Sequence, residues 1–595
     1  MDRGSLLRLL LFGAAIALFI QFGMPLITGG GEAKLQPFKG IVDDAAPPAK
    51  ERGEEATCQI KGEQFKAELT SKGASLKHFW LLGDKWADFD TGEPIDLVTT
   101  SGSTPKPWFE EARMPLRTDL RSPAGDTDQV AFNTFDWEIS EQDGKSCTFT
   151  HRTDDVELVK TVSATNLPYE LKVELSVTNK ASDKKTHRLT VETTDWRTAE
   201  ETKGSMGRVS ELMTKTEVLA DEVVRYDPTD FEPDEFENED VTSEKWRRPS
   251  SSASWAAVSS SYFSKAIFPL EGPTAPSGEM QIEERWNKAS FAQKEKDPKY
   301  GHLYRARLNY GPVALEPGET KTYAVLSYNG PKERHVLAGV GGGELSAVDV
   351  LDLGYFGAIG KLLIQYLYWL YSLVGTWGWA ICLLTITVKV LLFPLSISQI
   401  KSSLAMRKLK PQMDEINEKY KDDPTQKGLA MQELWRKNNV TNPMLGCLPV
   451  LLQMPVWFAL YTALQTAVEL YHTPFAWFAD LSASDPYYIL PFLLGASSFL
   501  QQHLMPMQGD AMQQKMMKYL MPGMFTVFML FLPAGLGIYF LTNTWLGIVQ
   551  QLVVERYFKT QDDSPAADAD DDAKEKPEGE TDDKKASPKR AKANA

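Results

Sequence analysis

Three patterns of apolar and polar positions follow one another along the chain. Residues 6–27 form one apolar run, LLRLLLFGAAIALFIQFGMPLI, with Arg3 and Arg8 near its start. A cleaved signal peptide and a retained membrane anchor compete for it. The run is long for a signal peptide, and no small-x-small site precedes Gly29–Gly31. An uncleaved anchor over 1–28, with its N-terminus in the cytoplasm, is the expectation. Residues 29–56 are Gly, Pro, Ala and charge, and read as a linker.

The next three hundred residues alternate. Phe135–Ile139, Leu171–Thr178, His187–Thr194 and Thr322–Tyr328 place every second side chain on one face, which predicts half-buried antiparallel strands. Many such strands with few helical stretches predict a large β-sandwich over 57–345. Tyr226–Arg248 is acidic, contains proline and has no period, so a surface excursion is expected there.

From Phe356 the runs lengthen again. Asp349–Trp377 is amphipathic and rich in Tyr and Trp, as an interfacial helix over 349–373 would be. Apolar runs at about 374–397, 448–470, 487–504, 519–533 and 535–554 follow. With the first run they predict six transmembrane helices, the last five forming a core over 374–558. Two runs are shorter than the usual ~20 residues, so tilted helices or a thinned bilayer are implied.

Charge orients them. The loop 398–447 carries nine Lys and Arg, among them Lys401, Arg407, Lys408, Lys410, Arg436 and Lys437, and the loop 471–486 carries none. Basic loops face the cytoplasm, and so would both termini. The β-rich region then lies across the membrane. Asp423 followed by Pro424 starts a second helix in the basic loop, giving a helical hairpin over 399–440. Residues 505–529 hold eight of the nineteen methionines, either membrane packing or an adaptable surface, with a Met-rich loop at 505–518. Residues 559–595 are acidic and then basic, and read as a disordered tail.

Composition narrows the chemistry. A net charge of −16 over 595 residues argues against nucleic acid as a main partner. The cysteines, at 58, 147, 382 and 447, form no C-x-x-C pair, so neither a zinc nor a redox site is suggested. Cys58 and Cys147 fall on the oxidising side, where a disulfide and two free thiols both stay open. His78, His151, His187, His302 and His335 lack metal-ligand spacing, and Gly341–Gly343 reads as a hinge, lacking the P-loop Lys. No cofactor or metal is expected.

One residue stands out. Lys389 is the single charge in Trp379–Leu395. With the boundary near Ser396–Ser398 it lies roughly 10–13 Å inside at helical rise. It either snorkels to headgroups or marks a functional site. Thr385 shares its helix face. Gln453, Thr462 and Gln465, Ser497, Ser498, Gln501 and Gln502, and Thr542, Asn543 and Thr544 lie in other runs. In hydrocarbon such groups must face one another or water.

The stretches Asn442–Pro455, Asp485–Pro491, Met512–Met516 and Phe531–Tyr539, with the six-run order and the basic loop, resemble the YidC family of membrane protein insertases. The resemblance implies a five-helix core around a hydrophilic groove open to cytoplasm and lipid. It implies a periplasmic β-supersandwich and residence in the bacterial inner membrane. Lys389 matches the family's groove-lining basic residue, ordinarily Arg, and Thr385 matches a substrate-contacting position. Where the family often has two tyrosines this chain has Tyr539 and Phe540. Gln453, Gln501 and Thr542 would complete the groove. The implied partners are nascent membrane proteins, the Sec translocon, the ribosome, the targeting particle and the bilayer. The rivals are a small-solute transporter, against which no paired repeats or broken helix pairs are seen, and a membrane-anchored periplasmic enzyme or receptor.

Overall fold

The computed structural model describes residues 53–87, 91–98, 113–121, 136–203, 210, 212–231, 246–287, 290–354, 356–421, 423–438, 448–504 and 515–562. The expected anchor 1–28, the linker as far as residue 52, Phe135, residues 232–245 of the acidic excursion, the motif residues 442–447, loop residues 505–514 and the tail from 563 lie outside them.

Among the described residues, seventeen strands form the first body. They are β1 (Thr57–Lys61), β2 (Phe65–Thr70), β3 (Ser75–Leu81), β4 (Arg117–Arg121), β5 (Glu138–Gln142), β6 (Ser146–Arg152), β7 (Val156–Ala164), β8 (Glu170–Asn179) and β9 (Lys185–Thr198). Then come β10 (Lys215–Leu219), β11 (Val223–Tyr226), β12 (Trp255–Ser259), β13 (Phe263–Glu271), β14 (Ser277–Arg285), β15 (Gly301–Asn309), β16 (Val313–Leu315) and β17 (Thr320–Pro331). The nine-stranded sheet runs β11-β10-β12-β13-β17-β8-β7-β6-β5. A second sheet, β14-β15-β9-β16 with β4 also on β9, faces it, and β1-β2-β3 make a third.

Alternation explains the packing. In β8, Leu171, Val173, Leu175 and Val177 are all buried and join one core with Ile282, Tyr304 and Leu308 of the second sheet. The expected strand at Phe135–Ile139 begins only at Glu138, with Asp136 held in an isolated bridge to Lys72. Cys58 and Cys147 form a disulfide between β1 and β6, closing the question the sequence left open. Each described histidine of the domain has a local partner, such as Asp96 for His78 and Tyr323 for His187. Gly341, Gly342 and Gly343 all take positive φ, and the Gly341 N–H donates to the Glu170 carboxylate at 3.0 Å. Only glycine enters that run cheaply.

Helices follow: α1 (Gly357–Val374), α2 (Trp377–Leu391), α3 (Phe393–Lys419), α4 (Pro424–Lys437), α5 (Leu448–Gln465), α6 (Ile489–Leu504), α7 (Met521–Met529) and α8 (Ala534–Asp562). The helix expected over 349–373 starts later, because Leu351–Gly354 is irregular and Gly354 has φ 64°. It ends on left-handed Gly375, whose N–H reaches the Tyr371 carbonyl at 2.8 Å, a C-cap. Pro394 restarts the chain as α3 directly after α2. Asp423 caps α4 by accepting from Thr425 and Gln426 N–H, both at 3.0 Å. α8 continues through the first four residues of the expected tail.

Each of the last five apolar runs holds a helix, shorter than the run in the first four and longer than it in α8. Among the described residues, no helix is long and apolar enough to cross a membrane by itself. At about 1.5 Å per residue, α2 measures roughly 22 Å and α6 roughly 24 Å, against a hydrocarbon layer of about 30 Å.

The helices pack around Ala380, Ile381, Leu384, Leu460, Leu464, Leu494, Leu536, Tyr539 and Phe540. The two bodies meet at residues 466–475. Val468 belongs to the core of the β-domain, and Tyr471 stacks on Trp86 at 6.0 Å. Buried Glu469 accepts from the Tyr368 hydroxyl and, at 3.3 Å, from the Arg334 N–H.

Candidate functional site: a polar convergence of three helices

Two contacts fix how α2 and α8 lie. Cys382 Sγ is 3.6 Å from Thr542 Oγ1. Further along both helices, a Cβ placed on Gly547 would stand 3.8 Å from Lys389 Nζ. The helices therefore run in the same direction. α6 joins them in parallel. The same Cβ would stand 2.7 Å from Gln501 Nε2, and four residues on, Gln551 donates to the Leu504 carbonyl at 2.9 Å. That bond satisfies one of the carbonyls left open at a helix C-terminus.

Lys389, Gln501 and Gly547 thus converge from three helices. Lys389 is half-buried. Among the described residues it has no hydrogen-bond or ion-pair partner. Its neighbour across the gap, Gln501, brings an amide that serves as donor or acceptor. The glycine leaves room for that amide, since a Cβ on residue 547 would overlap it. Nothing in the sequence flagged Gly547; a glycine in an apolar run carries no signal of what faces it.

The other expected residues scatter. Thr385 is fully buried, and its hydroxyl donates to the Ile381 carbonyl at 2.7 Å, the usual way a threonine satisfies itself inside a helix. Thr387, not singled out from sequence, is half-buried and hydrogen-bonded to the Tyr366 hydroxyl at 3.0 Å, tying α1 to α2. Tyr539 and Phe540 are buried in the helical core, the Phe540 ring lying edge-on to Phe525 at 5.2 Å. Phe540 and Gly547 are about two turns apart on one face of α8. Gln453 lies in α5 with its side chain outside the described residues. Thr462 and Gln465 are at the opposite end of α5, against the β-domain.

In the basic hairpin, Lys408, Arg436 and Lys437 are exposed, and Lys437 pairs with Glu433 at 3.0 Å. Lys401, Arg407 and Lys410 sit on α3 with side chains outside the described residues. Among the described residues no group of three or more His, Cys, Asp or Glu is placed to hold a metal.

The arrangement brings a basic group and an amide together between helices, with a glycine opposite them. A family model described as the YidC periplasmic domain matches residues 57–369, and one described as 60Kd inner membrane protein matches 369–562. The membrane protein insertase YidC of Anaeromyxobacter dehalogenans (strain 2CP-C) is 34% identical over 516 residues, covering 84% of this chain and 86% of that one. The one from Nitrosococcus oceani is 42% identical over 268 residues, 44% of this chain and 48% of that one. A YidC insertase crystal structure with its first transmembrane domain resolved aligns over 90% of this chain and 99% of its own, at 18% identity and a TM-score of 0.35. On the two family models and the long match at 34% identity, this chain belongs to the YidC family of membrane protein insertases.

Proposed function

We propose that the chain inserts client proteins into the bacterial inner membrane by receiving the short polar end of a client segment at Lys389. Six transmembrane helices hold it there, with both termini in the cytoplasm and the β-domain in the periplasm. The client first meets the basic hairpin. Its polar end enters a groove open to cytoplasm and lipid, lined by Lys389, Thr385, Gln453, Gln501, Tyr539, Phe540 and Thr542. The apolar helix leaves sideways past α5 and α7, driven by its transfer from water into hydrocarbon. The chain works alone or with the Sec translocon, and receives clients from the ribosome and the targeting particle. No covalent step is involved.

The supporting observation is the Lys389 ammonium, half-buried and without a carboxylate partner among the described residues, near the Gln501 amide and Gly547. A cation left so attracts negative charge strongly where water is scarce. The shortness of α2 and α6 adds a second element. Helices of 15 and 16 residues favour a locally thinned bilayer, which shortens the barrier for the client.

The test is insertion of clients with acidic translocated ends into vesicles. Lys389→Ala lowers it by about tenfold, the worth of roughly 1.4 kcal/mol, and Lys389→Arg preserves it. Crosslinkers at positions 385, 389 and 540 capture a nascent client. Equal insertion by Lys389→Ala and the wild type removes the electrostatic role.

A further inference from the structure

The contact between α6 and α8 is held at both ends. At the start, the buried Asp485 carboxylate accepts from the Leu490 N–H, in the first turn of α6, at 2.6 Å. The segment just before Asp485 holds the start of α8, with the Ala534 N–H on the Ala483 carbonyl at 2.7 Å and the Gly535 N–H on the Leu481 carbonyl at 2.8 Å. Leu490 then packs where Gly537 has no side chain, since a Cβ there would stand 2.4 Å from Leu490 Cδ2.

At the far end the contact changes in kind. Gln551 is 4% exposed, and its amide nitrogen donates at 2.9 Å to the carbonyl of Leu504, the last residue of α6. Gln551 and Leu504 lie 47 residues apart, the same offset as Leu490 and Gly537. Both helices therefore advance by equal numbers of residues between the two contacts. Gln501 and Gly547 lie within that length.

Apolar contacts alone do not fix such a register, because they have no preferred direction. A leucine against a glycine lets one helix slide or turn on the other. A hydrogen bond has a direction, and a buried amide deprived of one is costly. A helix end is also where a donor from outside is most needed, since the last carbonyls have no partner within the helix. Gln501 precedes Leu504 by less than one turn, and Gly547 precedes Gln551 by about one turn. The bond sits next to the place where Gln501 and Lys389 approach Gly547.

We infer that Gln551 is a positioning residue: it locks the end of α6 on α8 and so holds the Gln501 amide near Lys389, where a client's acidic end is received. Buried as it is, Gln551 acts through Gln501. Its effect on clients rests on the proposed part of Lys389 and Gln501 in insertion, whereas the lock on helix register does not.

Two measurements on the full chain separate these. Spin labels at Leu500 and Val549, both exposed, report the register in a background with Cys382 and Cys447 replaced by alanine. Their distance distribution is narrow with Gln551 present. It broadens in Gln551→Met, which keeps the length and loses the donor, and narrows again in Gln551→Lys, which can donate to the same carbonyl. An unchanged distribution in Gln551→Met overturns the inference. Broadening in Gln551→Lys as well assigns the lock to packing and overturns it too. The second measurement is insertion of clients with acidic translocated ends into vesicles. Gln501→Met and Gln551→Met each lower it by about fivefold, the scale of one hydrogen bond. The double variant inserts as well as Gln501→Met alone, because the two residues act in series. Losses that multiply in the double variant overturn the positioning role. Full insertion by Gln501→Met overturns the proposed use of the groove amide, and the distance distribution by itself then decides on the lock.

Discussion

The Lys389 ammonium stands 3.8 Å, and the Gln501 amide nitrogen 2.7 Å, from the place a Cβ on Gly547 would take. The glycine is thus what leaves room for the Gln501 amide beside the Lys389 side chain. Gly547→Ala meets only the far end of a flexible glutamine, which can turn aside, and alanine favours a helix over glycine by about 1 kcal/mol. That variant is expected to fold and insert near wild-type levels. Gly547→Leu fills the space itself. Insertion of clients with acidic ends then drops by about tenfold, roughly 1.4 kcal/mol, while clients with uncharged ends lose less. Parallel insertion assays with the two client types check this. Wild-type insertion of both by Gly547→Leu shows that the space is not used.

Lys389 was legible because a charge in an apolar run is anomalous on its face, whereas Gly547 acquires meaning only from what two other helices place opposite it. The same distinction runs through the fold. β8 could be read because one face is buried and the alternation survives in sequence, whereas β9 and β17 alternate in sequence but are buried on both faces along most of their length. Helix limits could not be read from hydropathy. The apolar run through α2 continues past Leu391, but Pro394 resets the backbone there. Thr462 and Gln465 read in sequence as polar groups of another apolar run, facing polar partners or water. They belong instead to the junction with the β-domain, because the run gives polarity and not depth.

The Cys58–Cys147 disulfide joins strands that are 89 residues apart in sequence. Their pairing depends on β1 lying against the β5–β6 turn, where the Lys61 N–H reaches the Gly144 carbonyl at 2.9 Å. Sequence spacing carries no trace of that. Closing so long a loop restricts the unfolded chain, and losing such a bond typically costs about 2–5 kcal/mol. The double substitution Cys58→Ala/Cys147→Ala is expected to lower the unfolding midpoint of the β-domain in the full chain by several degrees. Both sulfurs' residues are buried, at 1% and 0% exposure. Reductant alone should therefore act slowly until denaturant opens the domain. Thiol labelling with and without urea measures both effects, and rapid labelling in reductant without urea would contradict the burial.

His187 makes the β-domain acid-sensitive. Its ring is buried in β9, with Nε2 2.8 Å from the Tyr323 hydroxyl and Nδ1 without a partner among the described residues. Burial pushes the imidazole down from 6.5 to about 4. The unfolded chain therefore takes up a proton near pH 6.5 that the folded domain refuses until about pH 4. The stability tied to the neutral ring is complete above the unfolded value and is lost as pH falls through this window, by roughly 3 kcal/mol in all. His187→Gln keeps a hydrogen-bonding group toward Tyr323 and cannot titrate. It is expected to be slightly less stable than the wild type at neutral pH, and to lose less on acidification. Urea unfolding of the full chain in detergent, followed by tryptophan fluorescence at pH 7 and near the folded value, gives the two slopes. Equal losses in the wild type and His187→Gln would assign the acid sensitivity to other groups and leave the buried imidazole without a part in it.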